Sequence, residues 1–376
     1  MKLPRHAELW GPGYLRDRGR RLLPRPRPRR VWLTVADHYE PRWGLATRAA
    51  RGTGSPRPCG IADARVARWV DAWPVVAAAC RRDAAGQPPC HTFFYPQEEY
   101  APRHLDALAA LCATGIGDVE IHIHHDADGR AAFIEKMSSF RELLHARHGL
   151  LRRRGGRLVF GFIHGNWALD NSLPDGRWCG LNDELSILRD LGCYADFTMP
   201  AGDSPCQART VNTIYWAVDD PERPKSYDGG RPVTPGGGRG DLLIIPGPLG
   251  IRWAERLAPR LEAGEIAAND PPTPYRLQRW LALAPRIGAD VFVKLHTHGA
   301  QEKNAEMLLG GGLRRLYDGM SELCARRGLA LYYASAWQMA LAVEALQQGR
   351  DPLGAALAPA RGVEAKREAA RVEIPC

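Results

Sequence analysis

The chain has 376 residues, 45% hydrophobic and 25% charged, with a formal net charge of +9. This is ordinary for a soluble globular protein and enough to bury a large core. No stretch approaches the roughly 18 consecutive apolar residues of a membrane span, and none follows the basic N-terminus, so neither a span nor a secretory signal peptide is expected.

In chain order, residues 1–30 form a basic arm. Arg16–Arg30 (RDRGRRLLPRPRPRR) is dense in arginine and broken by prolines, too Pro-rich to be a helix. A solvated arm is expected, with peripheral contact to an anionic membrane surface as the alternative. No nucleic-acid motif accompanies it.

From residue 31 to 346 short apolar runs alternate with helical patterns. Strands are expected at Val31–Asp37, His91–Tyr95, Asp118–His124, Arg157–His164, Tyr194–Thr198, Leu242–Pro246, Asp290–His296 and Leu329–Ala334. Helical periodicity marks Asp63–Arg82, Pro102–Ala113, Ala131–His148, Asp183–Leu191, Pro274–Ala284, Lys303–Arg327 and Ser335–Gln347. Such alternation predicts an α/β fold with a parallel sheet, and its repeat count fits a closed or slightly broken (β/α) barrel. The Gly/Pro-rich segment 201–240 interrupts the rhythm and reads as an inserted lid or subelement, with a β-hairpin arm at Val211–Val218. Residues 347–376 are expected to be a loosely ordered tail. Nine cysteines, scattered from Cys59 to Cys376 with no C-x-x-C pair, point to a reduced, cytoplasmic chain.

Chemistry-bearing residues collect at strand ends. Alternation sets Glu120, His122 and His124 opposite Val119, Ile121 and Ile123, and Lys294, His296 and His298 opposite Val291, Val293 and Leu295. The first strand ends in Asp37 and His38, the fourth in His164. With His125, seven of the twelve histidines fall in this set. In a parallel architecture these carboxyl ends converge. Converging imidazoles and carboxylates suit a divalent metal that activates water for hydrolysis.

The order of motifs resembles the polysaccharide deacetylase (NodB-homology) family of carbohydrate esterases, from Thr34 to Ala334. Thr34-Val35-Ala36-Asp37 resembles the family's Thr-Phe-Asp-Asp, Thr92-Phe93-Phe94 its second-strand Thr-Phe-Phe, Glu120 to Asp128 its Glu-Ile-Gly-x-His-x-x-x-His, and Leu295-His296 its final Leu-His. The resemblance implies a distorted (β/α)7 barrel and a deacetylase working through a metal-bound water. It implies one zinc ion held by Asp37, His124 and Asp128, with His125 competing for the third place. It also implies that His296 acts as general acid; His298 is the alternative. Three positions depart from the pattern: Ala36 replaces the usual base, Asp128 replaces a histidine, and FIHGNWALDNS stands where Arg-x-Pro-Tyr would.

With Ala36 in place, Asp170 is the expected base, ahead of Glu40 and Asp126. Asn166, Trp167 and His164 are expected to contact an acylated sugar, the amide reaching hydroxyls and the indole covering a ring. Asn182-Asp183-Glu184 reads as a helix N-cap. The competing reading is a catalytically inactive carbohydrate-binding or scaffold protein on the same barrel. A glycosidase with paired carboxylates is disfavoured, because the converging residues are mostly imidazoles.

Overall fold

The computed structural model describes residues 5–45, 58–254 and 258–357. All eight expected strands form, and all run parallel: β1 (Arg30–His38), β2 (His91–Pro96), β3 (Gly117–Ile123), β4 (Arg157–His164), β5 (Cys193–Asp196), β6 (Leu242–Ile244), β7 (Asp290–Thr297) and β8 (Ala330–Tyr333). Their order is β7-β1-β2-β3-β4-β5-β6, with β8 beside the first half of β1. The fold is therefore mixed α/β around one large, mostly parallel sheet. Among the described residues no ladder joins β6 to β7. Instead Lys294 Nζ of β7 donates to Met199 O just beyond β5 at 2.9 Å, and residues 264–266 exchange backbone hydrogen bonds with His296.

Burial on both faces explains the β-branched and aromatic runs. On β1, Val31, Leu33 and Val35 pack with Trp69, Leu105 and Leu316 of the surrounding helices. Trp32 and Ala36 point the other way, joining Phe94, Ile163, Ala195, Leu243 and Phe292 on the inner face. The helix Ala336–Gln347 fills that face with Ala336, Met339, Ala340 and Val343. Ser335 caps it through a reciprocal bond with Gln338.

Three expectations change. The arm is not wholly irregular: Ala7–Arg20 is a helix that buries Trp10 against Val211 and Leu249, and Pro24, Pro26 and Pro28 fall beyond it. Arg21 then donates to the carbonyls of Ala282, Leu283 and Ala284, satisfying the last turn of the helix Pro274–Leu283 as a cation should. The helix expected over Lys303–Arg327 is split into Glu302–Met307 and Leu313–Arg326 by a wide turn at Leu308–Gly312, where Gly311 takes φ 116°. The inserted segment supplies Tyr215–Ala217, which pairs antiparallel with β6 and with Arg231–Pro232. Residues 352–356 of the tail are helical, and 358–376 lie outside the described residues. Among the described residues no helix is long and apolar enough to cross a membrane.

Candidate metal centre

The carboxyl ends of β1, β3, β4 and β7 surround a pocket of about 290 Å³ whose lining includes His38, Glu40, His124, Asn166, Trp167 and His298. Alternation along β1 puts His38 in phase with Trp32 and Ala36, so its imidazole enters from the inner face. Glu40 follows two residues later. On β3 the inward residue is His122. One ligand atom each from His38, Glu40 and His122 lies within 4.8 Å of the others, all three residues buried.

The hydrogen bonds fix which atoms are available. His122 Nδ1 lies 2.8 Å from the carbonyl of Ile163, an acceptor only, so Nδ1 carries the proton. Its Nε2 faces Glu40 Oε1 at 3.2 Å. A proton on Nε2 satisfies that pair as an imidazolium–carboxylate bond, and a divalent cation between the two would satisfy it equally. His38 Nε2 is buried without a partner. Burial, with the imidazoles of His298, His122 and His296 around it, holds His38 well below its ordinary value and keeps it neutral, as a ligand must be. Burial alone would raise Glu40, but His122 and His124 outweigh it and hold the carboxylate ionised. This donor set, two imidazole nitrogens and a carboxylate, fits a divalent ion.

His124 stands beside the trio. Its Nε2 is 3.4 Å from Glu40 Oε1 and its Nδ1 2.5 Å from Glu98 Oε1, so Glu98 orients the ring. Burial pulls His124 down, yet the two carboxylates push it up to about 10. Gly165 is required here, because a Cβ at that position would meet His124 Cδ2 at 2.3 Å. Glu99 shares the pocket. Burial, reinforced by Glu40 and Glu98, pushes its carboxyl up to about 7 against the bond from Arg42 N–H.

The other expected site residues divide. Asn166, Trp167 and His298 line the pocket, and the His298 ring lies 4.8 Å from that of His38. His296 is buried behind them, 5.9 Å from His38. Asp37 is in phase with Val31, Leu33 and Val35 and faces the helices. It accepts from Gly299 N–H at 2.6 Å and pairs with His91 Nε2 at 2.9 Å. Asp128 pairs with Lys136 at 2.7 Å and stands 3.5 Å from His125 Nδ1. Asp170 accepts from Ser226 N–H at 2.6 Å, ties two loops together away from the pocket lining, and is pushed up to about 8 by burial.

His164 also faces away from the pocket, in phase with Phe160 and Phe162. It meets His125, Cys179 and Glu184 in a second group of buried ligand-type atoms. Cys179, Glu184, Glu98 and Glu99 were not singled out by the sequence as site residues. The only sequence signal beside the three glutamates is a pair of adjacent acids, at 98–99 and at 183–184, and acids at a helix start more often serve as caps. Asp183 occupies the N-cap position without capping through its side chain.

No family model matches the chain, and no curated protein matches it. Among solved structures, a candidate polysaccharide deacetylase from Mycobacterium smegmatis aligns over 88% of this chain and 95% of its own, at 13% identity and TM-score 0.43. A 4-alpha-glucanotransferase from Thermococcus litoralis aligns over 83% of this chain and 43% of its own, at 12% identity and TM-score 0.36. At that distance neither speaks to the chemistry, which stands on the side chains described above.

Proposed function

We propose that the chain is a divalent-metal-dependent hydrolase that removes an acyl group, foremost N-acetyl, from a sugar or polysaccharide intermediate. The framework in this reading is a distorted (β/α)7 barrel of the polysaccharide deacetylase type. The observation that carries it is the convergence of His38, Glu40 and the buried His122 beside one open pocket, where His122 Nε2 stands 3.2 Å from the Glu40 carboxylate. Zinc suits these donors, with His124 as a cationic neighbour of the same carboxylate. Bound there, the ion would polarise the acyl carbonyl and make water nucleophilic at neutral pH.

The chain's own residues supply the rest. Glu99, the pocket carboxyl that Ala36 does not provide, takes the proton from water. His298 hands a proton to the departing amine or alkoxide. Trp167 offers a face to the sugar ring and Asn166 an amide to its hydroxyls. Glu98 keeps the His124 ring in place, and such orienting partners typically affect metal affinity or activity by about 10–100-fold.

The test is acetate release from N-acetylglucosamine oligomers. Release should stop with chelator, return with zinc, and be absent in His38→Ala and His122→Ala. Glycan binding without acetate release under any added divalent metal would instead establish the carbohydrate-binding reading.

A further inference from the structure

The second cluster is closed where the first is open. His125 follows β3, His164 ends β4, Cys179 lies in the connection between them and the next helix, and Glu184 opens that helix, Glu184–Leu191. All four are buried, and one ligand atom from each lies within 4.8 Å of the rest. His125 Nε2 is 3.3 Å and His164 Nε2 3.5 Å from Glu184 Oε1, while Cys179 Sγ is 3.4 Å from Glu184 Oε2. Tetrahedral zinc with ordinary bond lengths sets its ligand atoms about 3.3–3.6 Å apart. The two Nε2 atoms, at 2.9 Å, need open only a few tenths of an ångström.

Proton placement points the same way. His164 Nδ1 donates to Gly165 O at 2.6 Å, so its Nε2 bears a lone pair. If His125 keeps its proton on Nδ1, toward Asp128 Oδ2 at 3.5 Å, its Nε2 is bare too. Two bare nitrogens and a carboxylate then face one another. If the proton sits on Nε2 instead, Nδ1 is left buried beside a carboxylate with no partner. Glu184 takes its bonds from His125, Cys179 and the Asp170 N–H. A thiolate and a carboxylate around a divalent cation sum to zero charge, the combination that tolerates full burial.

We propose that His125, His164, Cys179 and Glu184 form a closed zinc site, distinct from the pocket ion and independent of the hydrolase reading. It pins residues 165–183, a connection in which Asn166, Trp167, Asp170, Asn171 and Trp178 all take positive φ. Left-handed backbone is unfavourable for a tryptophan, and an anchor here would hold Asn166 and Trp167 at the pocket wall. The two sites stand back to back, since His124 faces one and His125 the other.

The experiment is to express the full chain in cobalt-supplied, zinc-poor medium and record its near-ultraviolet and visible spectrum. A thiolate-to-cobalt charge-transfer band is expected, lost in Cys179→Ser and retained in His122→Ala. No band in the unsubstituted chain, or a full band in Cys179→Ser, overturns the site. Should Cys179→Ser fail to fold, zinc-edge absorption of the unsubstituted chain decides. A sulfur neighbour at about 2.3 Å supports the site, and nitrogen and oxygen neighbours alone refute it.

Discussion

The two histidine clusters draw on the same strand ends and differ in what they face. His38 and Glu40 line a pocket of about 290 Å³ with His122 buried beside them, whereas His125, His164, Cys179 and Glu184 are sealed among loop and helix. The first has three protein donors and open space for water and substrate. The second has four donors, one a thiol, and no room for either. Zinc sites divide along the same line, catalytic ones keeping a free position and structural ones filling all four. In the proposed reading, one fold would separate reactivity from anchoring by turning adjacent residues, His124 and His125, in opposite directions.

The largest expected effect breaks the pocket alone. His122→Ala should reduce acetate release to the blank rate while leaving thermal unfolding close to that of the unsubstituted chain. A variant that keeps its rate would erase the distinction between the clusters. Next, Cys179→Ala should lower stability by about 3–5 kcal/mol, the usual cost of removing one member of a buried charged group, measured by urea unfolding. It should also leave unfolding less sensitive to chelator. Smaller still, Glu98→Gln should weaken metal affinity or activity by about 10–100-fold, because it loosens the His124 ring. Asp37→Asn sharpens the comparison from outside. It should cost about 1–3 kcal/mol by disturbing the buried bonds to His91 and Gly299, yet leave metal content unchanged. Loss of metal in that variant would return Asp37 to the ligand set.

Much of this was legible in the sequence. Short apolar runs between helical patterns located all eight parallel strands, and alternation set His122 and His298 on the inward faces. Applied to β1 it also separates Asp37 from His38: Val31, Leu33 and Val35 face the helices, so Asp37 does too, and His38 is the residue that enters the pocket. Motif resemblance pointed to Asp37, whereas alternation turns His38 toward the pocket. The same phase turns His164 outward with Phe160 and Phe162. Cys179 and Glu184 were beyond reach, because their placement depends on an irregular connection whose positive-φ residues include two tryptophans. The N-terminal helix was hidden by composition, since the prolines at 24, 26 and 28 come after it and its buried residues, Trp10 and Asp17, meet partners some 200 positions away.

The most direct measurement is metal content by elemental analysis of the full chain, His122→Ala, Cys179→Ala and the double variant. Two equivalents per chain are predicted for the first, one for each single variant and none for the double. A chain without stoichiometric metal, or one that keeps both equivalents after His122→Ala, would contradict the account.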